Sequence, residues 1–152
     1  MNKQKLKEFL IKSNRVGYAG GQEKQWVKQP DGSTTIEFVK DEWRSHDNFF
    51  GGEPYGGRLV VFYKDKPVWI MVYYGWVKPG IEPKSVYPTL QNALKKMPKN
   101  APFRGPAKYQ EKDFIYTNQW IGDVDRYSGK EQIKKGDKLA YKASYIGGLV
   151  DQ

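Results

Sequence analysis

The sequence predicts an α+β fold: a predominantly antiparallel sheet built from two pseudo-symmetric helix-plus-hairpin repeats, with both helices on one face. Three observations lead to this prediction. Two stretches have helical hydrophobic periodicity, and almost all of the remaining chain alternates between short strands and turn residues. In addition, residues 55–77 and 127–149 match each other at a constant offset of 72. A repeated order of elements of this kind indicates a duplicated unit.

Identical residues mark the repeat. Six positions agree between the two segments: Tyr55/Tyr127, Gly57/Gly129, Asp65/Asp137, Lys66/Lys138, Tyr73/Tyr145 and Gly75/Gly147. Upstream of them, Glu42-Trp43 corresponds to Asp113-Phe114 at an offset of 71. Each copy then runs as helix, extended segment, glycine-rich turn and hairpin. We therefore expect a single domain over residues 1–152, with an internal repeat at residues 1–80 and 81–152.

Two helices are expected. In the first, four residues share one face of the helix: Leu6, Phe9, Leu10 and Ser13. In the second, the corresponding stripe consists of Leu90, Ala93, Leu94 and Met97. Pro88 suits the first position of the second helix, and Pro98 is expected to end it.

Strands are predicted on both sides of short turns. Residues 30–33, Pro-Asp-Gly-Ser, form such a turn because proline presets φ and glycine accepts a positive φ. Asp65-Lys66 and Gly136-Asp137 are candidate two-residue hairpin loops at equivalent places in the two copies.

The strand after Asp65-Lys66 is apolar on both of its faces. One face carries Trp69 and Met71, and the other carries Val68, Ile70 and Val72. The second face therefore needs a cover, which either a helix of the same chain or a second subunit in a homodimer can provide. We favour a central strand beneath the helices.

Composition excludes several classes of protein. The chain of 152 residues has no cysteine, so it has neither disulfides nor thiolate metal sites. The longest apolar run, residues 67–77, is too short to cross a bilayer, and the N-terminus lacks the apolar segment of a signal peptide. We expect a cytoplasmic protein without a membrane partner and without a cofactor.

Five strings of the sequence form a recognisable set: YAGG at 18–21, EWRSHDNFFGG at 42–52, PVWIMVYYG at 67–75, APFRGPAKY at 101–109 and YIGGLV at 145–150. Together they resemble an uncharacterised bacterial family, the domain of unknown function numbered 5680. The resemblance implies a free-standing protein or a C-terminal module behind a helix-turn-helix segment in XRE-type regulators. Because the chain begins at the first helix of the module, the resemblance implies a regulatory role only indirectly, through the regulators that contain the module. The resemblance carries no established activity and assigns no catalytic residue.

Catalysis has little support in the residues themselves. The single histidine, His46, lies beside Asp47 in an acidic stretch, and the chain has no Gly-x-Ser-x-Gly motif. Acids cluster in two places: Asp41, Glu42 and Asp47, and then Asp123 and Asp125. Neither cluster has the spacing of a calcium-binding loop. We therefore predict no catalytic residue and no metal site, and we favour a non-enzymatic role.

The net charge of +9 is segregated along the chain. Residues 1–15 and 84–99 are basic, whereas residues 37–53 and 113–125 are acidic and contain large aromatic residues. If the two copies pack as related halves, the acidic segments meet at the crevice between them. Carboxylates among aromatic rings suit an organic cation.

The sequence therefore favours a non-enzymatic, effector-type module that binds a small molecule in an acidic, aromatic-lined cleft. The predicted ligand-binding residues are Glu42, Trp43, Asp47, Tyr73, Tyr116 and Tyr145. The competing interpretation is that these aromatic residues pack the core and that the acids balance the basic helices. A further alternative is a nucleic-acid binder that contacts the phosphate backbone through the two basic helices. Its candidate residues are Lys3, Lys7, Lys12, Lys95, Lys96 and Lys99.

Overall fold

The computed structural model describes residues 2–20 and 26–151, which form a nine-stranded antiparallel sheet and two α-helices. The first half contains α1 (Lys3–Val16), a 3₁₀ segment (Tyr18–Gly20), β1 (Trp26–Lys28), β2 (Thr34–Lys40), β3 (Trp43–Gly51), β4 (Tyr55–Tyr63) and β5 (Lys66–Val77). The second half contains α2 (Pro83–Lys95), β6 (Lys108–Glu111), β7 (Phe114–Asp123), β8 (Arg126–Lys135) and β9 (Lys138–Leu149).

The strand order is β1-β2-β3-β4-β5-β9-β8-β7-β6. Each half is thus a meander, and the last strands of the two meanders pair at the centre of the sheet. In this central pair, Tyr73 of β5 lies opposite Tyr145 of β9. The predicted α+β class and the antiparallel sheet are confirmed, while the origin of the two halves by duplication stays a prediction.

Helix α1 forms where the periodicity predicts it. The side chain of Asn2 caps its first turn, accepting hydrogen bonds from the backbone N–H groups of Gln4 at 2.9 Å and Lys5 at 3.2 Å. Its buried residues are Leu6, Phe9, Leu10 and Ser13, the four predicted to share a face. Burial of one such leucine or phenylalanine contributes about 1.5–3 kcal/mol, so this face anchors the helix on the sheet.

Helix α2 begins at Pro83, more than one helical turn before the predicted start at Pro88. Both prolines satisfy the same rule for a first helical position, and burial decides between them. Val86 is fully buried, so the apolar stripe extends a turn toward the N-terminus, and the Glu82 carboxylate caps it by accepting from the N–H of Lys84. Pro88 therefore lies inside the helix, where it is exposed.

The turns follow the predicted chemistry with one shift. The turn between β1 and β2 contains Gly32 at a φ of 88°, as predicted. The β4–β5 turn residues are Lys64 and Asp65, at φ values of 51° and 61°, so the loop lies one residue earlier than predicted. Positive φ at both central residues matches the right-handed twist of the flanking strands. The β8–β9 turn lies at Gly136 and Asp137, as predicted.

The sheet has one face toward the helices, here called the helical face, and an opposite open face. On the helical face, β5 and β9 bury Trp69, Met71, Tyr73, Tyr141 and Tyr145. On the open face, Val72, Tyr74 and Ile146 are 48%, 53% and 62% exposed. The central position of β5 is confirmed, but within residues 2–20 and 26–151 no helix covers its second face.

Two apolar clusters lie on the helical face. One forms around α1 and includes Trp43 and Trp69, and the other forms around α2 and includes Tyr116 and Tyr141. The helices touch where Asn14 donates a hydrogen bond to the carbonyl oxygen of Leu94 at 2.8 Å. The 3₁₀ segment and the buried residues 101–105 also lie on this face, and they complete the surroundings of the candidate site.

Candidate functional site

A cavity of about 330 Å³ lies on the helical face of the first half. Its walls come from β1, β3, β4, β5, the 3₁₀ segment, α2 and the loop before β6. Six aromatic side chains line it: Tyr18, Trp26, Phe49, Tyr55, Tyr73 and Tyr87. A smaller void of about 60 Å³ shares Tyr18, Asp47, Tyr73 and Arg104 with it and reaches toward α1. The site is therefore an aromatic chamber with a carboxyl group and a guanidinium group in its wall.

Strand alternation explains which side chains of β3 enter this chamber. Asp47 and Phe49 point to the helical face, and so His46 between Ser45 and Asp47 lies on the opposite, open face. Gly57 of β4 pairs with both Phe49 and Tyr73. A Cβ atom at Gly57 would lie 2.6 Å from the Cβ of Phe49, so only a glycine leaves room for β3 to pack this closely against β4.

Asp47 and Tyr73 form the polar pair of the chamber. The hydroxyl of Tyr73 donates a hydrogen bond to Oδ1 of Asp47 at 2.5 Å. Burial raises the pKa of Asp47 to about 6, although the Tyr73 hydrogen bond and the charge of Arg104 oppose the rise. The Tyr73 pKa is raised well above its usual value, first by burial and then by the neighbouring Asp47 carboxylate. Near neutral pH the pair is therefore a poorly solvated carboxylate held by a neutral phenol.

Arg104 and Glu131 form a second, deeper pair. Nε of Arg104 donates to Oε1 of Glu131 at 3.2 Å, and its Nη2 donates to the same oxygen. Tyr116 donates to Oε2 at 2.6 Å and Tyr141 to Oε1 at 2.9 Å. Glu131 is completely buried, and these donors compensate the desolvation of its charge.

This network reaches the chamber at two points. The hydroxyls of Tyr55 and Tyr141 are hydrogen-bonded to each other, and Tyr55 lines the cavity. The guanidinium carbon of Arg104 lies 5.8 Å from the centroid of the Tyr73 ring. Burial alone would lower the pKa of Arg104, but the Glu131 carboxylate raises it above its ordinary value. Arg104 is therefore a charged wall residue whose partner is fixed.

Sequence reasoning missed Arg104, Glu131 and Tyr55. A signal for the first exists, because Arg104 interrupts the otherwise apolar and glycine-containing string APFRGP. Glu131 is harder to find, since its partners lie on three other elements and its neighbours are polar. A charged residue among small and apolar neighbours is a reason to look for a buried partner.

The six predicted ligand-binding residues lie in three places. Asp47 and Tyr73 line the chamber, and Tyr116 lies behind it in the Glu131 network. Tyr145 bonds to Asn118 in the second half, at 2.8 Å. The other two, Glu42 and Trp43, lie at the β2–β3 turn.

At that turn neither residue faces the chamber. Glu42 is exposed, accepts from the Tyr63 hydroxyl at 3.1 Å and forms an ion pair with Lys64 at 3.3 Å. Trp43 is buried against Phe9, with ring centroids 5.5 Å apart. The structure thus brings together Asp47 and Tyr73 at the chamber, with Tyr116 behind them. Glu42 belongs to the surface and Trp43 to the core.

The second acidic segment faces α1 instead of the chamber. Asp123 pairs with Lys7 at 2.7 Å, and Asp125 pairs with Lys3 at 2.9 Å. The Lys7 hydrogen bond lowers the pKa of Asp123, and the Lys3 hydrogen bond lowers that of Asp125. At these two positions the acids balance the basic helix, as the competing interpretation of the sequence predicts.

The same ion pairs bear on the nucleic-acid alternative. Of its six candidate lysines, Lys3 and Lys7 are engaged by carboxylates, and Lys96 lies 5.7 Å from the ring centroid of Tyr109. Lys12, Lys95 and Lys99 are exposed. Since two of the basic-helix charges are already neutralised, fewer remain for phosphate contacts.

The described residues contain neither a cluster of metal-ligating side chains nor a membrane-spanning helix. In the described part of the chain, no three His, Asp or Glu side chains lie close enough together to hold a metal ion. Within residues 2–20 and 26–151, neither helix has both the length and the apolar character needed to cross a membrane.

Comparison with known proteins places the chain in a family. The family model described as a domain of unknown function, DUF5680, matches residues 47–150. The chain belongs to this family. No curated protein and no solved structure matched it. The part of this DUF5680 member that matches includes Asp47, Tyr73, Arg104 and Glu131, so both polar pairs of the site lie in the family's range, whereas Tyr18 and Trp26 lie before it.

Proposed function

We propose that this DUF5680 protein is a non-enzymatic, effector-type module that binds a small organic molecule in the aromatic chamber. The observation that carries the proposal is the chamber itself: about 330 Å³, with six aromatic side chains and two fixed polar groups in its wall. Ligand sites in proteins commonly measure about 300–1,000 Å³ and combine apolar walls with a few well-placed polar groups. The chamber has both properties.

The polar groups support recognition because they are preorganised. Tyr73 holds the Asp47 carboxyl through a hydrogen bond of 2.5 Å, and Glu131 holds Arg104 through two donors. A ligand therefore meets groups whose rotamers are already fixed, which lowers the entropic cost of binding. In this proposal Asp47 and Tyr73 contact the ligand, and Tyr116 supports Arg104 through Glu131.

We also propose that the two halves arose by duplication of one unit. Two features support this: residues equivalent by sequence, Tyr73 and Tyr145, lie opposite each other at the centre, and each bonds to a residue at the same place in its own half. Those residues are Asp47 and Asn118, related by the offset of 71. The ligand site is then asymmetric: Asp47 and Tyr73 come from the first half, and Gln91 and Arg104 of the second half complete its wall.

A screen followed by a blocking variant tests the binding proposal. We expect at least one compound in a library of small organic cations, neutral molecules and anions to raise the melting temperature. Gln91 of α2 lines the chamber, so Gln91→Trp should fill part of it and abolish the shift. Lys95→Trp, on the exposed last turn of the same helix, is the matched control and should keep it.

Two results would contradict the proposal. One is a library in which no compound binds the wild-type chain by calorimetry. The other is a hit whose affinity is the same in Gln91→Trp, in Lys95→Trp and in the wild type, since that compound would bind elsewhere on the surface.

A further inference from the structure

We propose that the ligand of the chamber is an organic ammonium ion, a protonated amine on an aromatic body, whose nitrogen lies against the carboxylate of Asp47. This inference rests on the proposed function and names the chemical class of the ligand. It is carried by the distribution of charge around the chamber, by its aromatic lining and by a comparison with the other half of the sheet.

Three charged side chains line the chamber in the described part of the chain: Lys28, Asp47 and Arg104. Arg104 is paired with the buried Glu131, so that pair is neutral as a whole. Lys28 lies at the exposed edge strand, where its ammonium group donates to the hydroxyl of Thr34 at 2.8 Å. Asp47 accepts its hydrogen bond from a neutral phenol and not from a cation. Among the described residues, the wall therefore offers one carboxylate, Asp47, whose hydrogen-bond donor is not a cation.

Among the described residues, the phenol, hydroxyl and amide groups that the 3₁₀ segment, β4 and α1 place near Asp47 are neutral. The 3₁₀ segment contributes Tyr18 and β4 contributes Tyr55, and burial raises the pKa of both phenols above the usual value. From α1, Ser13 and Asn14 line the smaller void and carry no charge. Since burial also raises the pKa of Asp47, its carboxylate is poorly solvated, and a cationic nitrogen at this place would stabilise it.

The six rings that line the chamber with this carboxylate form two groups of contacting rings. Tyr55 lies 6.1 Å from Tyr73 and 6.4 Å from Tyr87 between ring centroids. Trp26 lies 6.0 Å from Tyr18 and 5.7 Å from Phe49. The faces of aromatic rings carry negative partial charge and attract organic cations. The same faces disfavour an anion, so rings and carboxylate select the same sign of charge.

In the second half, the position equivalent to Asp47 is buried and lies outside the chamber. There, Asn118 replaces the carboxyl and still accepts the hydrogen bond of its tyrosine, Tyr145, at 2.8 Å. An amide oxygen thus serves this hydrogen bond without the desolvation cost of a charge. A carboxylate in the first half, at the wall of an aromatic chamber, is explained by a cationic partner in that chamber.

Three indole compounds of similar size test the inference by titration calorimetry on the full chain at neutral pH. They are tryptamine, a cation; tryptophol, its neutral alcohol; and indole-3-acetate, an anion. We expect tryptamine to bind on the order of tenfold more tightly than tryptophol, and indole-3-acetate to bind most weakly. Asp47→Asn should remove the preference for the cation and leave tryptophol binding within about twofold.

Glu42→Gln is the matched control, because it removes the same charge from an exposed carboxylate outside the chamber. It should leave all three affinities unchanged. Equal binding of tryptamine and tryptophol to the wild type would overturn the inference and leave the proposed function intact. Tightest binding of indole-3-acetate would also overturn it. If none of the three binds and the library yields no ligand, both the inference and the proposed function fail. The comparison within the wild type decides the question even if Asp47→Asn does not fold.

Discussion

Each half of the sheet has a tyrosine that donates a hydrogen bond to a side chain at the equivalent position, but the surroundings of the two pairs differ. In the first half, Tyr73 bonds to Asp47 at the wall of the chamber, and in the second, Tyr145 bonds to the buried Asn118. The loop before β6 makes the difference, because it covers Asn118 and accepts its side-chain N–H at the carbonyl oxygen of Gly105, at 2.8 Å.

An amide suits the second place because it can donate and accept at once. A carboxylate suits the first place only if something positive comes to it, since it can accept but not donate. The two halves also differ at a second pair of equivalent positions, where only the second half has a carboxylate. Glu131 in the second half corresponds to Leu59 in the first, at the offset of 72. One half therefore uses its carboxylate to fix Arg104, and the other presents its carboxylate to the chamber.

The largest effect is expected where the second half is changed to resemble the first. Glu131→Leu leaves Arg104 and the hydroxyls of Tyr116 and Tyr141 without their acceptor. Removal of one partner of a buried ion pair costs about 3–5 kcal/mol, and we expect a loss of that size in urea denaturation. In the double variant with Arg104→Met, much of the loss should be recovered, because no unpaired charge remains buried. A loss below about 1 kcal/mol would show that the network is not tightly coupled.

Asn118→Asp places the carboxyl of the first half under the loop of the second. It removes the N–H that bonds to Gly105 and sets an anion against a carbonyl oxygen. We expect a loss of about 3 kcal/mol near neutral pH in the same assay. The loss should shrink in acid, because a protonated carboxyl can donate to that oxygen again. An equally stable variant at neutral pH would mean that the loop moves away from Asn118 without cost.

Asp47→Asn makes the reverse exchange and should stabilise the free protein. A folded pKa of about 6, above the usual 3.8, corresponds to about 3 kcal/mol of lost stability near neutral pH. We expect Asp47→Asn to raise the free energy of unfolding by about 2 kcal/mol. The gain is smaller than the full loss because the amide N–H group of asparagine also needs a hydrogen-bond acceptor.

The sign of this effect depends on pH. Below about pH 4 the carboxyl is protonated in both the folded and the unfolded state, so Asp47 does not lower the free energy of unfolding. The loss of stability grows between about pH 4 and 6 and is then constant. Urea denaturation across this range should show the variant gaining on the wild type as pH rises. A variant that is less stable than the wild type at every pH would contradict the raised pKa.

Local patterns predicted the parts of this molecule that depend on neighbours in sequence. The face of α1 and the hairpin turn at Gly136-Asp137 follow from periodicity and turn chemistry. The alternation of β3 is also local, and it suffices to place Asp47 and His46 on opposite faces. The start of α2 was predicted wrongly because Pro83 and Pro88 satisfy the same local rule, and the burial of Val86 decides between them.

The site itself depends on distances in sequence that no local pattern encodes. Arg104 reaches Glu131 across 27 residues, and Tyr55 reaches Tyr141 across 86. Both contacts are set by the register of the central strands and by the course of a loop. Asp47 and Tyr73 could be named in advance because acids and aromatic residues were the predicted ingredients. Glu42, in the same acidic segment, lies at an exposed turn, and only the fold separates the two.

The smallest effect we predict is a change in affinity with pH, and it bears most directly on why the two halves differ. If an ammonium ligand binds the ionised form of Asp47, binding must follow the ionisation of that carboxyl. With a pKa of about 6, the ionised fraction rises about tenfold between pH 5 and 7, and tryptamine, which stays protonated, should bind about tenfold more tightly. Tryptophol should show no such rise. In Asp47→Asn the dependence should vanish for tryptamine, because the amide, like Asn118 in the other half, does not titrate. A pH dependence that survives the substitution would assign the titration to another group of the chamber. The difference between Asp47 and Asn118 would then have no role in ligand binding.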